Sequence, residues 1–472
     1  MFKKVLIANR GEIATRVIRA CKELGIATVA IYSEPDATSL YVKKADESYL
    51  VGPGPIEGYL NIHRLVDLAN KVGVDAVHPG YGFLAENSGF AELCEKKDIT
   101  FIGPTSKTIK DMGDKVRARD LMKKSGVPIV PGTEGKIKSI DDAVKFAGKA
   151  GYPVMVKASG GGGGRGLRIA RDEKELVKGI ETAQSEAKAS FGYSDVFIEK
   201  YVEKPHHIEF QILADKYGNI IHLGERDCSI QRRHQKIIEI APSILLDNDM
   251  RQKMGEAAIK AAKAANYTNA GTVEFLVDKD KNFYFLEMNT RIQVEHTITE
   301  EITGIDLVKK QIEIAAGKKL DIKQEDVQSR GFAMQCRICA EDPKKNFAPN
   351  SGRVTAYYSP GGIGVRIDGA IYKDYVIPSF YDSMVAKLVV RGMTWDETVN
   401  RMHRSLDEFV IRGVKTTIPF LRKIMHDNDF KTGNFDTGYL ERKPELLNYD
   451  EFGDPIDKVA AISAAIAAYH GF

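Results

Sequence analysis

Five polar residues occupy every second position in the stretch FYFLEMNTRIQVE near the middle of the chain. They are Glu287, Asn289, Arg291, Gln293 and Glu295. Alternate side chains of an extended strand point to opposite faces, so this spacing predicts that all five line one wall. The alternative is an amphipathic surface hairpin whose charged side chains lie in water.

A second strand-like run, TVEFLVD, precedes this wall, and the polar residues DKDKN between the two runs predict a hairpin turn. If the turn is centred between Asp280 and Lys281, Glu274 lies opposite Glu287, with Cβ atoms roughly 5 Å apart. Two facing carboxylates repel each other unless a cation lies between them. Oxygen ligands from Glu274, Glu287 and Asn289 suit Mg²⁺ or Mn²⁺ better than zinc, so the pair predicts a metal site.

A glycine-rich stretch, SGGGGGRG at 159–166, directly follows the apolar run that carries Lys157. Glycine has no Cβ, so such a loop can close over phosphates and offer backbone N–H donors, while the lysine neutralises charge. A flexible linker has the same composition. Because apolar runs flank the glycines on both sides in a predicted hairpin, we favour a phosphate-covering loop.

Basic residues are concentrated at 226–236, where the chain reads RDCSIQRRHQK. A solvated basic face is the ordinary interpretation of such a run. Beside a metal wall and a glycine loop, it also fits a funnel for anions. The members are Arg226, Arg232, Arg233, His234 and Lys236.

Composition narrows the class of protein. The 472 residues predict about three domains of an ordinary globular protein. The 68 basic and 65 acidic residues leave a net charge of only +3, which argues against nucleic acid as a partner. No apolar run suggests a membrane span or a signal peptide, so we expect a cytoplasmic protein. Five cysteines fit that reducing compartment, and Cys336 and Cys339 are expected to be core or strand residues.

Alternating helices and apolar runs in the first hundred residues predict a parallel sheet covered on both faces. A small α/β lobe and then a region rich in alternating strands follow. The fold class is therefore α/β, becoming α+β in the C-terminal part. The predicted domains are 1–114, the small lobe 115–202, the large lobe 203–330, a C-terminal domain 331–446 and a helical tail 447–472.

The tail contains apolar residues at helical spacing, namely Val459, Ile462, Ile466 and Tyr469. This helix could pack on its own domain or dock on a partner.

Five motifs occur in order along the chain: NRGEIA near the N-terminus, HPGYGFLAEN at 78–87, KASGGGGGRG at 157–166, ERDCSIQRRHQK at 225–236 and EMNTRIQVEH at 287–296. Together they closely resemble the biotin carboxylases, an ATP-grasp family, over about residues 2–445. The resemblance implies an ATP-grasp fold, with ATP and two Mg²⁺ or Mn²⁺ ions as cofactors. It also implies a homodimer that carboxylates biotin with bicarbonate.

The resemblance implies a role for each matching residue. Lys115 and Lys157 would hold the ATP phosphates under a lid containing Gly163 and Gly164. The adenine and ribose would lie near Glu199, Lys200, Tyr201, Val202, His207, Gln231 and His234. Glu274, Glu287 and Asn289 match the metal ligands. The bicarbonate site would contain Lys236, Arg291, Gln293 and Val294, with Glu295 as the base. Arg337 would stabilise the biotin enolate, and Tyr81 and Gly82 would line the biotin pocket.

Two departures from the family pattern matter. Thr297 stands where the family commonly has proline, which is expected to loosen that turn. No Met-Lys-Met biotinylation site and no carboxyltransferase region is present, so both the biotin carrier and the carboxyltransferase are expected on other chains. The tail resembles that of carboxylase subunits serving pyruvate or another 2-oxo acid, and acetyl-CoA is the other candidate acceptor. The alternatives are another ATP-grasp ligase that works through an acyl phosphate, and a nucleotide-binding subunit without chemistry.

Overall fold

The computed structural model describes residues 1–133, 135, 137, 139–158, 167–191, 195–449 and 455–470. Within these residues, no helix combines the length and the apolar character needed to cross a membrane.

The N-terminal region forms the predicted parallel sheet, with strand order β3-β2-β1-β4-β5. Apolar residues of β1 and β2 are buried on both faces because helices cover the sheet. The strands are β1 Lys4–Ile7, β2 Ala27–Ser33, β3 Glu47–Gly52, β4 Ala76–His78 and β5 Thr100–Phe101. The helices are α1 Gly11–Glu23, α2 Leu40–Lys44, α3 Ile62–Lys71, α4 Ser88–Lys96 and α5 Ser106–Gly113.

The small lobe contains a three-stranded antiparallel sheet of order β7-β6-β8. The glycine stretch connects β6 to β7, as expected, but residues 159–166 lie outside the described residues, including Gly163 and Gly164. The elements are α6 Lys115–Lys124, α7 Ile140–Ala150, β6 Val154–Ala158, β7 Leu167–Ala170, α8 Glu173–Phe191 and β8 Val196–Lys200.

An eight-stranded sheet of order β13-β12-β9-β10-β11-β14-β21-β19 forms the largest layer. Its first five strands precede residue 331 and its last three follow it, so one sheet spans the predicted large lobe and C-terminal domain. The elements before residue 331 are β9 His206–Ala214, β10 Ile220–Arg232, β11 Gln235–Ala241, α9 Asn248–Ala264, β12 Asn269–Val277, β13 Phe283–Asn289, α10 His296–Thr303 and α11 Leu307–Ala315.

The C-terminal elements enclose a core between β14, β21 and helices α12 and α13. They are β14 Phe332–Cys339, β15 Glu341–Asp342, β16 Ala348–Pro349, β17 Gly352–Arg353, β18 Ala356–Tyr358, β19 Val365–Gly369, β20 Val376–Ile377, β21 Met384–Gly392, α12 Trp395–Glu408, β22 Val410–Arg412, α13 Ile418–His426, α14 Asn428–Lys431 and the tail helix α15 Pro455–His470. Cys336 and Cys339 lie in β14 with free thiols, as predicted.

The tail helix exposes its apolar residues. Val459, Ile462 and Ile466 each keep more than half of their surface in contact with solvent, and Tyr469 is 87% exposed. These four side chains are therefore not buried against the rest of the described chain.

Candidate active site

One cavity of about 1250 Å³ lies between the N-terminal region, the small lobe and the eight-stranded sheet. It is lined by every described residue to which the family resemblance assigned a role. These are Tyr81, Gly82, Lys115, Lys157, Glu199, Lys200, Tyr201, Val202, His207, Gln231, His234, Lys236, Glu274, Glu287, Asn289, Arg291, Gln293, Val294, Glu295 and Arg337.

Glu274 and Glu287 are direct cross-strand partners on β12 and β13, as predicted. The premise about the turn is wrong, however, because Val277 pairs with Phe283, which centres the hairpin on Asp280. A β-bulge at Leu286 adds one residue to β13 and brings Glu287 opposite Glu274. An irregularity that the sequence pattern does not reveal therefore produces the predicted pair.

The predicted wall is extended only at its beginning. Strand β13 ends at Asn289, and residues 291–295 form an irregular segment leading into the helix that begins at His296. The expectation of one continuous strand is wrong there, and the sequence reasoning missed this helix. Arg291, Gln293 and Glu295 still line the cavity because the segment bends around its end.

Lys236 connects three buried carboxylates at the centre of the cavity. Its Nζ donates to Glu209 at 2.6 Å, to Glu274 at 2.9 Å and to Glu295 at 2.6 Å. Burial disfavours a charge on Lys236, but Cys228 and the three carboxylates outweigh this effect and hold its pKa well above the usual value. This ammonium is thus a fixed positive charge, as an anion-binding centre requires.

The residues predicted as metal ligands fit a divalent cation with oxygen ligands. Glu274 remains ionised because Lys236 and His207 lower its pKa against the effect of burial. Burial and the facing Glu274 raise the pKa of Glu287, whose carboxylate accepts no hydrogen bond within the described chain. A cation between the two carboxylates would relieve this repulsion.

Asn289 has a different arrangement in this structure. Its Nδ2 donates to Glu274 at 2.9 Å, and its Oδ1 accepts from Arg291 at 3.0 Å. Ligation of a metal by Oδ1 therefore requires Arg291 to release that oxygen.

Glu295 lies between two cations. One of its oxygens accepts from Lys236, and the other accepts from Arg337 at 3.1 Å. Burial and Glu209 oppose ionisation, but Lys236 and Arg337 lower the pKa of Glu295 below the usual value. Glu295 is consequently a buried carboxylate that stays ionised at neutral pH, as a general base must.

Thr297 makes a specific contact at the position where the family commonly has proline. It lies buried in the first turn of α10, and its hydroxyl donates to Oε1 of Gln335 at 2.5 Å. Gln335 in turn donates to Glu239 at 2.9 Å, and Glu239 accepts from Nε of Arg337 at 2.6 Å. The substituted threonine therefore begins a hydrogen-bond chain that supports Arg337.

At the other end of the cavity, Lys157 and Glu199 form an ion pair on neighbouring strands of the small lobe. Arg119, which the sequence reasoning missed, pairs with the same carboxylate and donates to the carbonyl of Val130 at 2.6 Å. Lys115 begins helix α6, which Asp114 caps by accepting from two backbone N–H groups.

Tyr81 is held by residues far away in the sequence. Asn9 donates to the carbonyls of Pro79 and Tyr81, both at 2.7 Å, and Gly80 permits this approach because a Cβ there would lie 2.9 Å from the Asn9 amide nitrogen. The Tyr81 hydroxyl donates to Glu12, a residue of α1.

Lys387, on strand β21, lies on the other side of Glu12 and supports the same end of the cavity. It is fully buried, its Nζ lies 3.1 Å from Oε2 of Glu12, and it donates to the carbonyl of Val294 at 3.0 Å. Neither Glu12 nor Lys387 was predicted from the sequence, because no local pattern marks two charges that meet only in the folded chain.

Neither interpretation of the basic run, a solvated face or a funnel for anions, holds for its first member. Arg226 is fully buried, where it donates to Glu209 at 2.5 Å, to Gln211 at 2.8 Å and to Thr299 at 2.9 Å. Arg232, Arg233, His234 and Lys236 do line the cavity. No alternation in the sequence could have marked Arg226 as buried, because Glu225, Asp227, Cys228 and Ser229 are buried as well.

Comparison with known proteins identifies the family to which this chain belongs. The description "Biotin carboxylase, N-terminal domain" matches residues 1–109, "Carbamoyl-phosphate synthase L chain, ATP binding domain" matches 114–323, and "Biotin carboxylase C-terminal domain" matches 335–442. The 2-oxoglutarate carboxylase small subunit of Hydrogenobacter thermophilus is 58% identical over 471 residues, which covers 100% of both chains. The chain belongs to the biotin carboxylases.

Other relatives extend this result. Biotin carboxylase 1 of Bacillus subtilis is 56% identical over 93% of this chain and 98% of its own. A pyruvate carboxylase subunit of Methanothermobacter thermautotrophicus is 52% identical over 99% of each chain. A crystal structure of the biotin carboxylase domain dimer of the Hydrogenobacter thermophilus 2-oxoglutarate carboxylase, in complex with MgADP, ADP and bicarbonate, has a TM-score of 0.91. It is 58% identical and covers 96% of this biotin carboxylase and 100% of that chain.

Proposed function

We propose that this biotin carboxylase uses ATP and bicarbonate to carboxylate biotin on a separate carrier protein, acting as a homodimer in the cytoplasm. The main support for this proposal is the position of Glu295, an ionised buried carboxylate between Lys236 and Arg337. It lies in the same cavity as the Glu274 and Glu287 pair. A base, two cations and a metal-binding pair suit the activation of a small anion by phosphoryl transfer.

ATP would lie between the small lobe and β12–β13. We assign the phosphates to Lys115 and Lys157 and the lid to Gly163 and Gly164. The adenine and ribose would contact residues 199–202 together with His207, Gln231 and His234. Glu274, Glu287 and Asn289 would hold Mg²⁺ or Mn²⁺, which neutralises charge on the phosphates.

Bicarbonate would bind beside Lys236, Arg291, Gln293 and the backbone of Val294. In the present arrangement both oxygens of Glu295 accept from cations, so bicarbonate must take over part of the hydrogen bonding of Lys236 and Arg337. Glu295 then removes its proton, and a bicarbonate oxygen attacks the γ-phosphorus of ATP. The bond to ADP breaks, giving ADP and carboxyphosphate.

Carboxyphosphate then divides into CO₂ and phosphate, and the phosphate takes the N1 proton of biotin. The resulting enolate attacks CO₂ to form carboxybiotin. We assign Arg337 to the enolate oxygen, because a planar guanidinium suits a delocalised anion and Glu239 fixes its Nε side. Tyr81 and Gly82 would line the biotin pocket on the side supported by Glu12.

The test is ADP release from Mg-ATP with bicarbonate, without bicarbonate, and with free biotin added. We expect turnover that requires bicarbonate and increases with biotin. Glu295→Gln should lower this turnover by about 10²-fold or more, the usual contribution of a general base. Bicarbonate-independent turnover would instead indicate another ATP-grasp ligase, and full activity of Glu295→Gln would remove the proposed base.

We further propose that a 2-oxo acid such as pyruvate is the final acceptor, rather than acetyl-CoA. Supporting this, relatives named for 2-oxoglutarate and pyruvate carboxylation match this chain over 100% and 99% of its length, whereas the biotin carboxylase 1 match covers 93%. The exposed apolar face of α15 is a suitable docking site for the subunit that carries the carboxyltransferase.

Removal of residues 450–472 tests this docking role. We expect carboxylation of free biotin to be retained and co-purification with the carboxyltransferase subunit to be lost. Retained association would contradict the assignment of the tail, and transfer of the carboxyl group to acetyl-CoA alone would contradict the proposed acceptor.

A further inference from the structure

Arg337 is held by two carboxylates that have different parts in the proposed reaction. Its Nε donates to Oε1 of Glu239 at 2.6 Å, and its Nη2 donates to Oε2 of Glu295 at 3.1 Å. Glu295 becomes a neutral acid when it takes the proton of bicarbonate, so its attraction for the guanidinium weakens at that step. Within the described chain, Glu239 is then the only carboxylate left that pairs with Arg337. The position of Arg337 during the biotin step therefore depends on Glu239.

The surroundings of Glu239 disfavour a charge on it. Glu239 is fully buried on β11, and burial raises its pKa although Arg337 opposes the rise. A buried carboxylate stays ionised more readily when both of its oxygens accept hydrogen bonds. In Glu239, Oε1 accepts from Arg337, and Oε2 accepts from the side-chain amide of Gln335 at 2.9 Å. Gln335 thus completes the support of the charged form.

Gln335 can give this support in only one of its two amide orientations. The amide nitrogen donates to a carboxylate, whereas an amide oxygen facing Glu239 would require a protonated acid. Thr297, in the first turn of α10, favours the first orientation because its hydroxyl donates to the amide oxygen at 2.5 Å. Reversal of the amide would take this acceptor away, and the Thr297 hydroxyl makes no other hydrogen bond within the described residues. Both side chains are fully buried, so water does not compete for these bonds.

None of these three supporting residues, Thr297, Gln335 and Glu239, lines the cavity. They therefore reach the reacting groups only through Arg337, which does line it. A role limited to folding would affect every activity of the enzyme equally. A role through Arg337 would affect the biotin step more than the formation of carboxyphosphate, because the latter depends mainly on the metal-binding pair and Lys236.

We propose that Thr297 and Gln335 are positioning residues for the carboxylation of biotin. They orient the amide that supports Glu239, so that Glu239 retains the Nε side of Arg337 after Glu295 has been protonated. The Nη side of the guanidinium is then free to turn from Glu295 to the biotin enolate. This inference rests on the proposed function, since it takes Arg337 as the group that binds that enolate.

The experiment measures two rates in one preparation of enzyme, carboxybiotin formation from free biotin and bicarbonate-dependent ADP release without biotin. Their ratio does not depend on the fraction of enzyme that is folded. We expect Thr297→Val and Gln335→Met each to lower the ratio by about tenfold, the order of effect found when a group that orients a reacting residue is removed. Thr297→Ser keeps the hydroxyl and should restore the ratio. Thr303→Val is the matched control, because it removes a hydroxyl of the same helix that donates to the carbonyl of Thr299 and does not lead to Arg337.

Each remaining outcome overturns the inference. Equal losses of both rates leave the ratio unchanged and would assign Thr297 and Gln335 a role in folding alone. A ratio as low in Thr297→Ser as in Thr297→Val would assign the effect to packing instead of the hydroxyl. A failure of the proposed function would be recognised separately, because the unchanged enzyme would then release no ADP in response to bicarbonate and would form no carboxybiotin.

Discussion

Lys387→Met is expected to destabilise the protein by up to about 3.7 kcal/mol at pH 7, which lies within the range found when one partner of a buried ion pair is removed. Lys387 is fully buried between Glu12 of α1 and the carbonyl of Val294, so it joins the N-terminal region to the eight-stranded sheet. Methionine keeps most of the side-chain length while removing the charge. The loss therefore reports mainly on electrostatics.

The magnitude follows from the carboxylate that is left behind. Burial already raises the pKa of Glu12, and Lys387 opposes this rise. Without the ammonium, Glu12 takes up a proton in the folded state. An unfolded glutamate has a pKa of about 4.3, and each pH unit above it adds about 1.36 kcal/mol to the free energy of protonation. The resulting upper bound is about 3.7 kcal/mol at pH 7 and about 1.6 kcal/mol at pH 5.5.

The sign of the pH dependence follows from the direction of that shift. An acid whose folded-state pKa is raised binds its proton more tightly in the folded protein, so it favours folding at low pH. This contribution is lost as the pH rises above the unfolded-state value. The stability deficit of Lys387→Met should therefore grow with pH, whereas a deficit caused by altered packing would be the same at each pH.

Urea unfolding followed by the fluorescence of Trp395 is a suitable assay. Trp395 is the only tryptophan and begins α12, which packs on the sheet that contains Lys387. The Glu12→Gln/Lys387→Met double variant removes both charges and should regain most of the lost stability. Lys253→Met, which removes an exposed lysine paired with Asp249, should cost less than about 1 kcal/mol.

Two results would refute this reasoning. One is a loss below about 1 kcal/mol for Lys387→Met at pH 7, which would mean that the pair is not desolvated as the structure indicates. The other is an equal loss at pH 5.5 and pH 7, which would assign the effect to packing.

Three further predictions concern the cavity and the hydrogen-bond chain that supports Arg337. Glu287→Gln should increase the Mg²⁺ concentration for half-maximal ADP release by at least about tenfold, and an unchanged Mg²⁺ titration would exclude Glu287 as a ligand. Lys236→Met removes a cation that lowers the pKa of Glu295, so the acidic decline of the remaining activity should move to higher pH in a pH–rate profile; an unmoved profile would contradict this coupling. Thr297→Val deprives the buried Gln335 oxygen of its donor and should lower the unfolding free energy by about 1–3 kcal/mol, while Thr297→Ser should retain it.

Local sequence patterns determined much of the architecture. The alternating helices and apolar runs before residue 104 predicted the parallel sheet, and strand periodicity predicted the facing pair of Glu274 and Glu287. Such patterns succeed because the periods of 2 and 3.6 residues reflect which side of one element is buried. The motifs also predicted the family. Each motif is a continuous piece of chain, so it can be recognised without knowledge of how the chain folds.

The tertiary structure alone decided which charges meet. Lys387 pairs with Glu12, Arg337 with Glu239, and buried Arg226 with Glu209. It also decided the bulge at Leu286, which aligns the carboxylates although the turn is centred elsewhere. A spacing pattern carries information about neighbours within one element, whereas these contacts depend on how separate elements pack. The ionisation of Glu295 therefore follows from its surroundings in the folded chain. No single segment of the sequence predicts it.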